Sequence, residues 1–290
     1  MLGYTDSMER QKGFILIILV TVAVFAWYVV FAESEHKLKV VFLNVGQGDA
    51  IFIETPSGAQ VLIDGGAGAR VLGELAAVMP LYDRQIDMVM ATHTDADHIG
   101  GLTEVLRRYD VGTVIENGIV ADTAIWRELR ALIADEEAGR HVATAGDRLI
   151  LGGGAFIDIL GPASGERDQP QSKANDVMIV SRLVYGEDEI LLAGDIERDD
   201  EVRLALSGIN LQSDILKVAH HGSKNSSTDL FLERVNPKVA VVSAGESNRY
   251  GHPHKEALDR ILKVGAELFR TDRDGRLCFI SDGRGWQQCS

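Results

Sequence analysis

Cysteine is nearly absent: the 290 residues hold two, Cys278 and Cys289, both close to the C-terminus. A cysteine-built zinc site is therefore excluded. If the domain is exported the pair can join and tie down the tail; otherwise they are a core cysteine and an exposed one. Basic residues are also short, 29 lysines and arginines against 43 aspartates and glutamates, for a formal charge of −14. The charged residues before position 13 cancel, so the rest of the chain carries the whole excess. Such a surface repels phosphate backbones and weakens a nucleic-acid-binding reading without excluding it. Part of the excess is explained if carboxylates hold divalent cations, each offsetting about two negative charges. Proline is scarce, 6 against 30 glycines, which suits a fold with many tight strand-to-loop turns. No repeat or low-complexity tract occurs. At 46% apolar the chain can fill a real core, so a disordered protein is excluded.

One hydrophobic run is long. Gly13 to Ala32 is 20 consecutive residues without a charge, about the length that crosses a bilayer's hydrocarbon core. No face of it is polar, which counts against a buried globular helix. A cleaved signal peptide competes, with Val30-Phe31-Ala32 as the cleavage region, but the run exceeds the roughly 7 to 15 residues of a signal-peptide core. Arg10 and Lys12 precede it, and Glu33 and Glu35 follow, a bias that favours the N-terminus inside. The expected organisation is a cytoplasmic N-terminus (1–12), a single-pass anchor (13–32), a linker (33–37) and one extracytoplasmic domain (38–290).

Beyond the anchor, short β-rich runs are punctuated by glycine turns: Leu38 to Val45, Ala50 to Thr55 and Gln60 to Ile63, the last stopping at Asp64-Gly65-Gly66. Val71, Leu72, Leu75 and Val78 recur at helical spacing, and Ile86 to Ala91 is nearly continuous apolar, as for a strand buried on both faces. Helices are expected over 102–109, 124–138 and 255–265, and strands over 111–115, 148–151, 156–160, 177–185, 189–192, 215–219, 239–243, 268–269 and 276–280. The pattern is a mixed sheet covered by helices, of α/β class.

His93-Thr-Asp95-Ala-Asp97-His98 places four ligand-type side chains within six residues, directly after the Ile86 to Ala91 strand. Imidazole suits transition metals, and carboxylate widens the choice from Zn²⁺ toward Mn²⁺ or Fe²⁺. In a turn there, alternate side chains can face two neighbouring ions. A polar loop with Asp95 or Asp97 capping a helix is the weaker reading. Asp195 follows the apolar strand ending at Gly194, and His220-His221 follow Ile215 to Ala219. Alone, Asp195 reads as a turn residue and His220 as a satisfied histidine. Together they supply a bridging carboxylate and a further imidazole, as a two-metal hydrolytic site needs.

The series Asn44-Val-Gly-Gln-Gly-Asp49, Ile63-Asp64-Gly-Gly66, Thr92 to Gly101, Leu192-Ala-Gly-Asp195, Leu216 to Ser223 and Arg249-Tyr-Gly-His-Pro-His254 resembles the metallo-β-lactamase-type domain of the ComEC competence family. The resemblance covers nearly all of residues 38–290, in order. It implies an αββα sandwich and two divalent ions, Zn²⁺ or Mn²⁺. His93 and Asp95 would bind one, Asp97 and His98 the other, Asp195 would bridge, and His220 or His221 would complete the second site. His220 is favoured because it comes first after the strand, leaving His221 to substrate or supporting contact. Asp64 would orient a histidine ligand from behind, with a turn-forming Asp as the competing reading. Two positions depart from the family: Asn44 where an Asp is usual, and Asn175, at best a weak oxygen ligand, where a histidine is usual. The channel domain of ComEC proteins has no counterpart in the sequence, so DNA transport does not carry over.

The expected chemistry is metal-dependent hydrolysis by an activated water, with a phosphodiester as substrate: single-stranded nucleic acid, a nucleotide or a choline-type ester. Candidate catalytic residues are Asp97, His221, His252 and His254, and Tyr250 is a candidate substrate contact. Ser223 to Ser226 are a candidate phosphate-holding loop. Competing readings are an acyl, lactam or phosphorylcholine-ester hydrolase, and a membrane-tethered binding protein with a residual metal site. Oligomeric state has no signal in the sequence.

Overall fold

The computed structural model describes residues 2–33, 37–135, 138–166 and 177–289, with side chains of the first helix described from 12 to 27. The chain divides into two units, Met1–His36 and Lys37–Ser290. The first is one helix, α1 (Leu2–Glu33), whose large apolar side chains between Phe14 and Trp27 are exposed. Among the described residues no helix is long and apolar enough to cross a membrane. The expected transmembrane span over 13–32 is thus not supported by the described side chains, and its last part, 28–32, lies outside them.

The second unit begins with β1 (Leu38–Phe42), β2 (Ile51–Glu54), β3 (Gln60–Ile63), α2 (Arg70–Val78), β4 (Gln85–Ala91), α3 (Ala96–Leu106), β5 (Asp110–Glu116), α4 (Ala124–Asp135) and β6 (Gly139–Val142). It continues through β7 (Arg148–Gly152), β8 (Ala155–Gly161), β9 (Val180–Tyr185), β10 (Asp188–Leu192), α5 (Arg198–Leu206), β11 (Ile215–Lys217), α6 (Asp229–Val235) and β12 (Val239–Val242). It closes with α7 (Lys255–Lys263), β13 (Glu267–Arg270), α8 (Thr271–Asp274), β14 (Leu277–Ser281) and β15 (Trp286–Gln288). One sheet runs β15-β14-β1-β2-β3-β4-β5-β6 and the other β13-β12-β11-β10-β9-β8-β7.

Alternation along the strands sorts the core into layers. Val40 and Phe42 face Ile190 and Ile215 between the sheets, whereas Val41 and Leu43 pack under the helices with Leu75, Leu102 and Leu129. Leu191, Leu216 and Ala240 pack on the outer face of the second sheet with Phe231, Leu232 and Ile261. The result is helix, sheet, sheet, helix: the expected αββα sandwich.

Pairing is parallel across β3-β4-β5 and across β10-β11-β12, so the strands of each set end in the same direction. Loops outside the carboxyl ends of such strands are where an open α/β sheet places its ligands. Close approach of those loops needs missing side chains. A Cβ on Gly48, which has φ +110°, would lie 1.8 Å from the carbonyl oxygen of Asp97, and one on Gly101 would lie 1.9 Å from that of Gly65. These two glycines let the start of α3 press against the loops after β1 and β3.

The segment after His221 is clamped from two helices. Buried Glu201 of α5 accepts from the backbone N–H of Ser227 at 2.5 Å and of Thr228 at 2.7 Å, and Arg260 of α7 donates to the carbonyls of Lys224, Ser226 and Ser227. Burial raises the Glu201 pKa above its ordinary value, against the opposing pull of those N–H groups. A carboxyl raised on folding contributes stability below its ordinary pKa and loses it as pH climbs through the folded value. Glu201→Gln, which does not titrate, is expected to gain stability relative to wild type in urea titrations between about pH 4 and pH 7. A difference that stays constant over that interval would count against a titrating Glu201.

Candidate metal centre

Asp64 ends β3 with a positive φ of 56°, a backbone region that costs a non-glycine residue on the order of 1–3 kcal/mol and persists where surrounding contacts over-determine it. Those contacts are present. Its carboxylate accepts from the backbone N–H of Thr92 at 2.9 Å and from the Thr92 hydroxyl at 2.6 Å, and it lies 2.8 Å from Nδ1 of His98. The Thr92 hydroxyl, donating to Asp64, stands 3.0 Å from Nδ1 of His93 and so accepts from it. Two imidazoles are thus oriented through one carboxylate, each with Nε2 turned the other way. His98 directs Nε2 to Asp195 Oδ2 at 3.2 Å; Nε2 of His93 is buried with no hydrogen bond.

The third imidazole is His221. Both His220 (φ 47°) and His221 (φ 52°) have left-handed backbone, which breaks the alternation that would follow a strand. His221 is buried, donates Nδ1–H to the Ser243 carbonyl at 2.9 Å, and brings Nε2 within 3.1 Å of Asp195 Oδ2 and 3.5 Å of Asp97 Oδ2. Neither approach has the angle of a hydrogen bond. His220 turns away, its Nδ1 lying 3.1 Å from Glu197 Oε1. His221, and not the favoured His220, is the one whose ring nitrogen lies with the ligand atoms of Asp97 and His98 in a group that could hold a metal ion.

Asp97 and His98 lie in the first turn of α3, with Asp95 at its N-cap, where the sequence reads as a turn, with Asp95 or Asp97 as a helix cap the weaker alternative. Asp95 is half-exposed, and its Oδ2 is 3.8 Å from Nε2 of His93. Asn175 lies outside the described residues.

Two members of the cluster were not singled out from the sequence. Asp49, after the turn behind β1, has one carboxylate oxygen buried without a hydrogen bond. Lys217, the last residue of β11, is 1% exposed; its ammonium pairs with Asp49 and lies 3.5 Å from Asp195 Oδ1 and 3.0 Å from the Gly194 carbonyl. A buried ammonium without partners would cost several kcal/mol, so pairing with both carboxylates is a condition of its being there.

Charge is balanced internally. Burial opposes ionisation of His98 and His221, but the Asp195 carboxylate beside both, with Asp64 beside His98, raises them well above the usual histidine range. Burial would raise Asp195; the charges of His221, His98 and Lys217 bring it well below. His93, buried next to His98, is lowered to about 3 and is neutral.

His252 sits at the rim with its ring 6.2 Å from that of His221. Burial, then the charges of His220, His221 and His254, lowers it to about 4. It therefore does not carry an imidazolium proton to donate at neutral pH. His254 is the N-cap residue of α7, and its Nδ1 accepts from the backbone N–H of Lys224 at 3.3 Å. The Ser226 hydroxyl is taken up by the Ala219 and Ser223 carbonyls, so the 223–226 loop is tied to its own backbone and Arg260.

This donor set fits divalent cations. Ligand atoms of Asp97, His98 and His221 lie within 4.8 Å of one another, as do those of Asp49, His98 and Asp195, and those of Asp64, His93 and His98. The orphaned buried atoms, Nε2 of His93 and His221 and Oδ1 of Asp49, would each be costly without a cation to meet them. After reconstitution with Zn²⁺ or Mn²⁺ and desalting, elemental analysis is expected to find metal lost from His221→Ala and Asp195→Ala and kept by His220→Ala. Full retention by His221→Ala would remove that residue from the site.

The sequence family described as the Metallo-beta-lactamase superfamily matches residues 43–246. ComE operon protein 3 of Bacillus subtilis is 32% identical over 267 residues, covering 84% of this chain and 33% of that protein. Competence protein ComA of Neisseria gonorrhoeae is 29% identical over 88% of this chain and 34% of its own length. The chain spans about a third of the length of these curated relatives. Among solved structures, Igni18, a metallo hydrolase from Ignicoccus hospitalis, superposes with a TM-score of 0.56 at 15% identity over 83% of this chain and 98% of that one. Tm1679, a metal-dependent hydrolase of the β-lactamase superfamily, gives 0.53 at 13% identity over 81% and 96%. Both share the fold. With the family match over most of its length and the His/Asp cluster at the ends of the parallel strands, the chain belongs to the metallo-beta-lactamase superfamily, with homologues among the ComEC-type competence proteins.

Proposed function

We propose that the chain is a metal-dependent hydrolase and, within that class, a phosphodiesterase. The observation that carries the reading is the approach of His98 and His221 to the Asp195 carboxylate, with Asp97 beside His221 and the His93 ring packed against His98, each of the three imidazoles being fixed at Nδ1 by a different partner. Asp97, His98, His221 and Asp195 would hold one divalent ion; His93 and Asp95 would contribute to a second. Such ions supply Lewis acidity and a water acidic enough to attack at neutral pH. Lys217 holds one oxygen of Asp195 and pairs with Asp49, leaving Asp195 Oδ2 toward His98 and His221. His252 stands at the rim, its ring 6.2 Å from that of His221, where it would contact the substrate. The names of the relatives, a ComE operon protein, a competence protein and a recombination protein, favour a nucleic-acid phosphodiester over an acyl substrate. The metal-reconstituted protein is expected to hydrolyse bis-p-nitrophenyl phosphate and leave nitrocefin intact; turnover of nitrocefin alone would sink the phosphodiesterase reading.

For location we propose a tethered domain outside the cytoplasm. The support is the uncharged run Gly13 to Ala32 in the sequence and the disulfide between Cys278 and Cys289, a bond that belongs to oxidising compartments. Alkaline carbonate extraction of expressing cells should leave the full-length chain with the membrane, with both cysteines resistant to alkylation until reduced. Recovery in the soluble fraction with free thiols would refute the proposal.

A further inference from the structure

Beside Asp95 and Asp97 opens a cleft of about 510 Å³, closed on its other side by Gln47, Asn248, Arg249 and Tyr250. Arg249 is the one cation among the described residues lining it. Ten other arginines are each paired with a carboxylate, among them Arg107, Arg127, Arg148, Arg203, Arg270 and Arg276. Among the described residues no carboxylate forms an ion pair with Arg249. Its guanidinium lies 4.8 Å over the Tyr250 ring and donates to the Tyr250 hydroxyl at 2.5 Å, so it is held in place by neutral contacts and keeps its charge and most of its donors.

The base beneath it is rigid. The Asn248 side chain donates to the carbonyls of Gly245 and His252 and accepts from the backbone N–H of Tyr250 and His252. An exposed arginine on a pinned loop, facing the same cleft as two candidate metal ligands, is arranged to hold an anion next to the reacting group.

We infer that Arg249 forms a phosphate subsite adjacent to the metal centre, so that the substrate is a single-stranded nucleic acid whose flanking phosphate sits on this guanidinium while its neighbour is hydrolysed. This rests on the phosphodiesterase reading above. A substrate with one phosphate leaves Arg249 idle, and a choline-type ester would bring a quaternary ammonium against a fixed guanidinium. A cleft of this size encloses about one small-molecule-sized unit and so has room for one nucleotide of a splayed single strand.

The test uses the full-length chain, wild type and Arg249→Gln, with Arg249→Lys as the conservative variant. Fluorescence anisotropy of a labelled oligothymidylate, without added metal, is expected to show at least tenfold weaker binding for Arg249→Gln. Its plot of log affinity against log salt should be shallower by about 0.7, one single-strand phosphate contact, and Arg249→Lys should recover part of both. With metal, kcat/KM for the oligonucleotide should fall through KM, by at least tenfold more than kcat/KM for bis-p-nitrophenyl phosphate. Unchanged affinity and salt slope in Arg249→Gln, or equal proportional losses on both substrates, would overturn the subsite. If wild type cleaves neither substrate the phosphodiesterase reading fails by itself, and the anisotropy comparison still decides whether Arg249 binds the strand.

Discussion

The Asp64 carboxylate connects backbone, fold and chemistry at one point. It sits where β3 stops, beside the end of the parallel strand β4, and takes both donors of Thr92 and the imidazole of His98. Through the Thr92 hydroxyl it also sets the face His93 presents. Without these hydrogen bonds neither imidazole has a preferred tautomer or ring orientation, and the left-handed backbone at Asp64 has nothing to offset its strain. The glycines that admit α3 so close to this loop serve the same contact from the other side.

Around that carboxylate the interior holds a dense set of charges, and the fold supplies both signs. Lys217 answers Asp49 and Asp195 from the end of β11, and His98 and His221 answer Asp195 from either side. A divalent ion binding the same imidazole nitrogens competes with their protons, so metal uptake is coupled to proton release. The acidic composition of the chain thus has a local expression in the pocket, where the carboxylates of Asp49, Asp64, Asp97 and Asp195 gather around the imidazoles. At the cleft beside Asp95 and Asp97, Arg249 supplies the opposite sign among the described lining residues.

Much of the architecture was legible in the order of residues. The strands β1 to β5 and β7 to β12 were expected close to their observed bounds because each carries an apolar run bounded by turn residues, largely buried in all but β7. Others were not: α5 and α6 have short, charge-rich sequences whose helical period is weak, and the exposed β6 and the terminal β15 carry little apolar pattern. The run His93 to His98 was legible because its four ligand-type side chains are neighbours in the chain, and Asp195 because it ends an apolar strand.

What the sequence by itself determined was the layered α/β class, the cluster of ligand-type side chains in the central motif and its likeness to a known family, since each depends on residues adjacent in the chain or on a periodicity along it. Tertiary structure alone decided the rest. Lys217 reads as an ordinary strand residue until parallel pairing with β10 sets it beside Asp195. Asp49 reads as a turn residue until the sheets close over it. The choice between His220 and His221 rests on a left-handed backbone that no local pattern announces, sustained by His220 N–H on Gly194, His221 on Ser243 and Glu201 behind the next loop. Those contacts join residues about twenty positions apart, and the local conformational preferences of a chain do not encode a partner that only folding brings within reach.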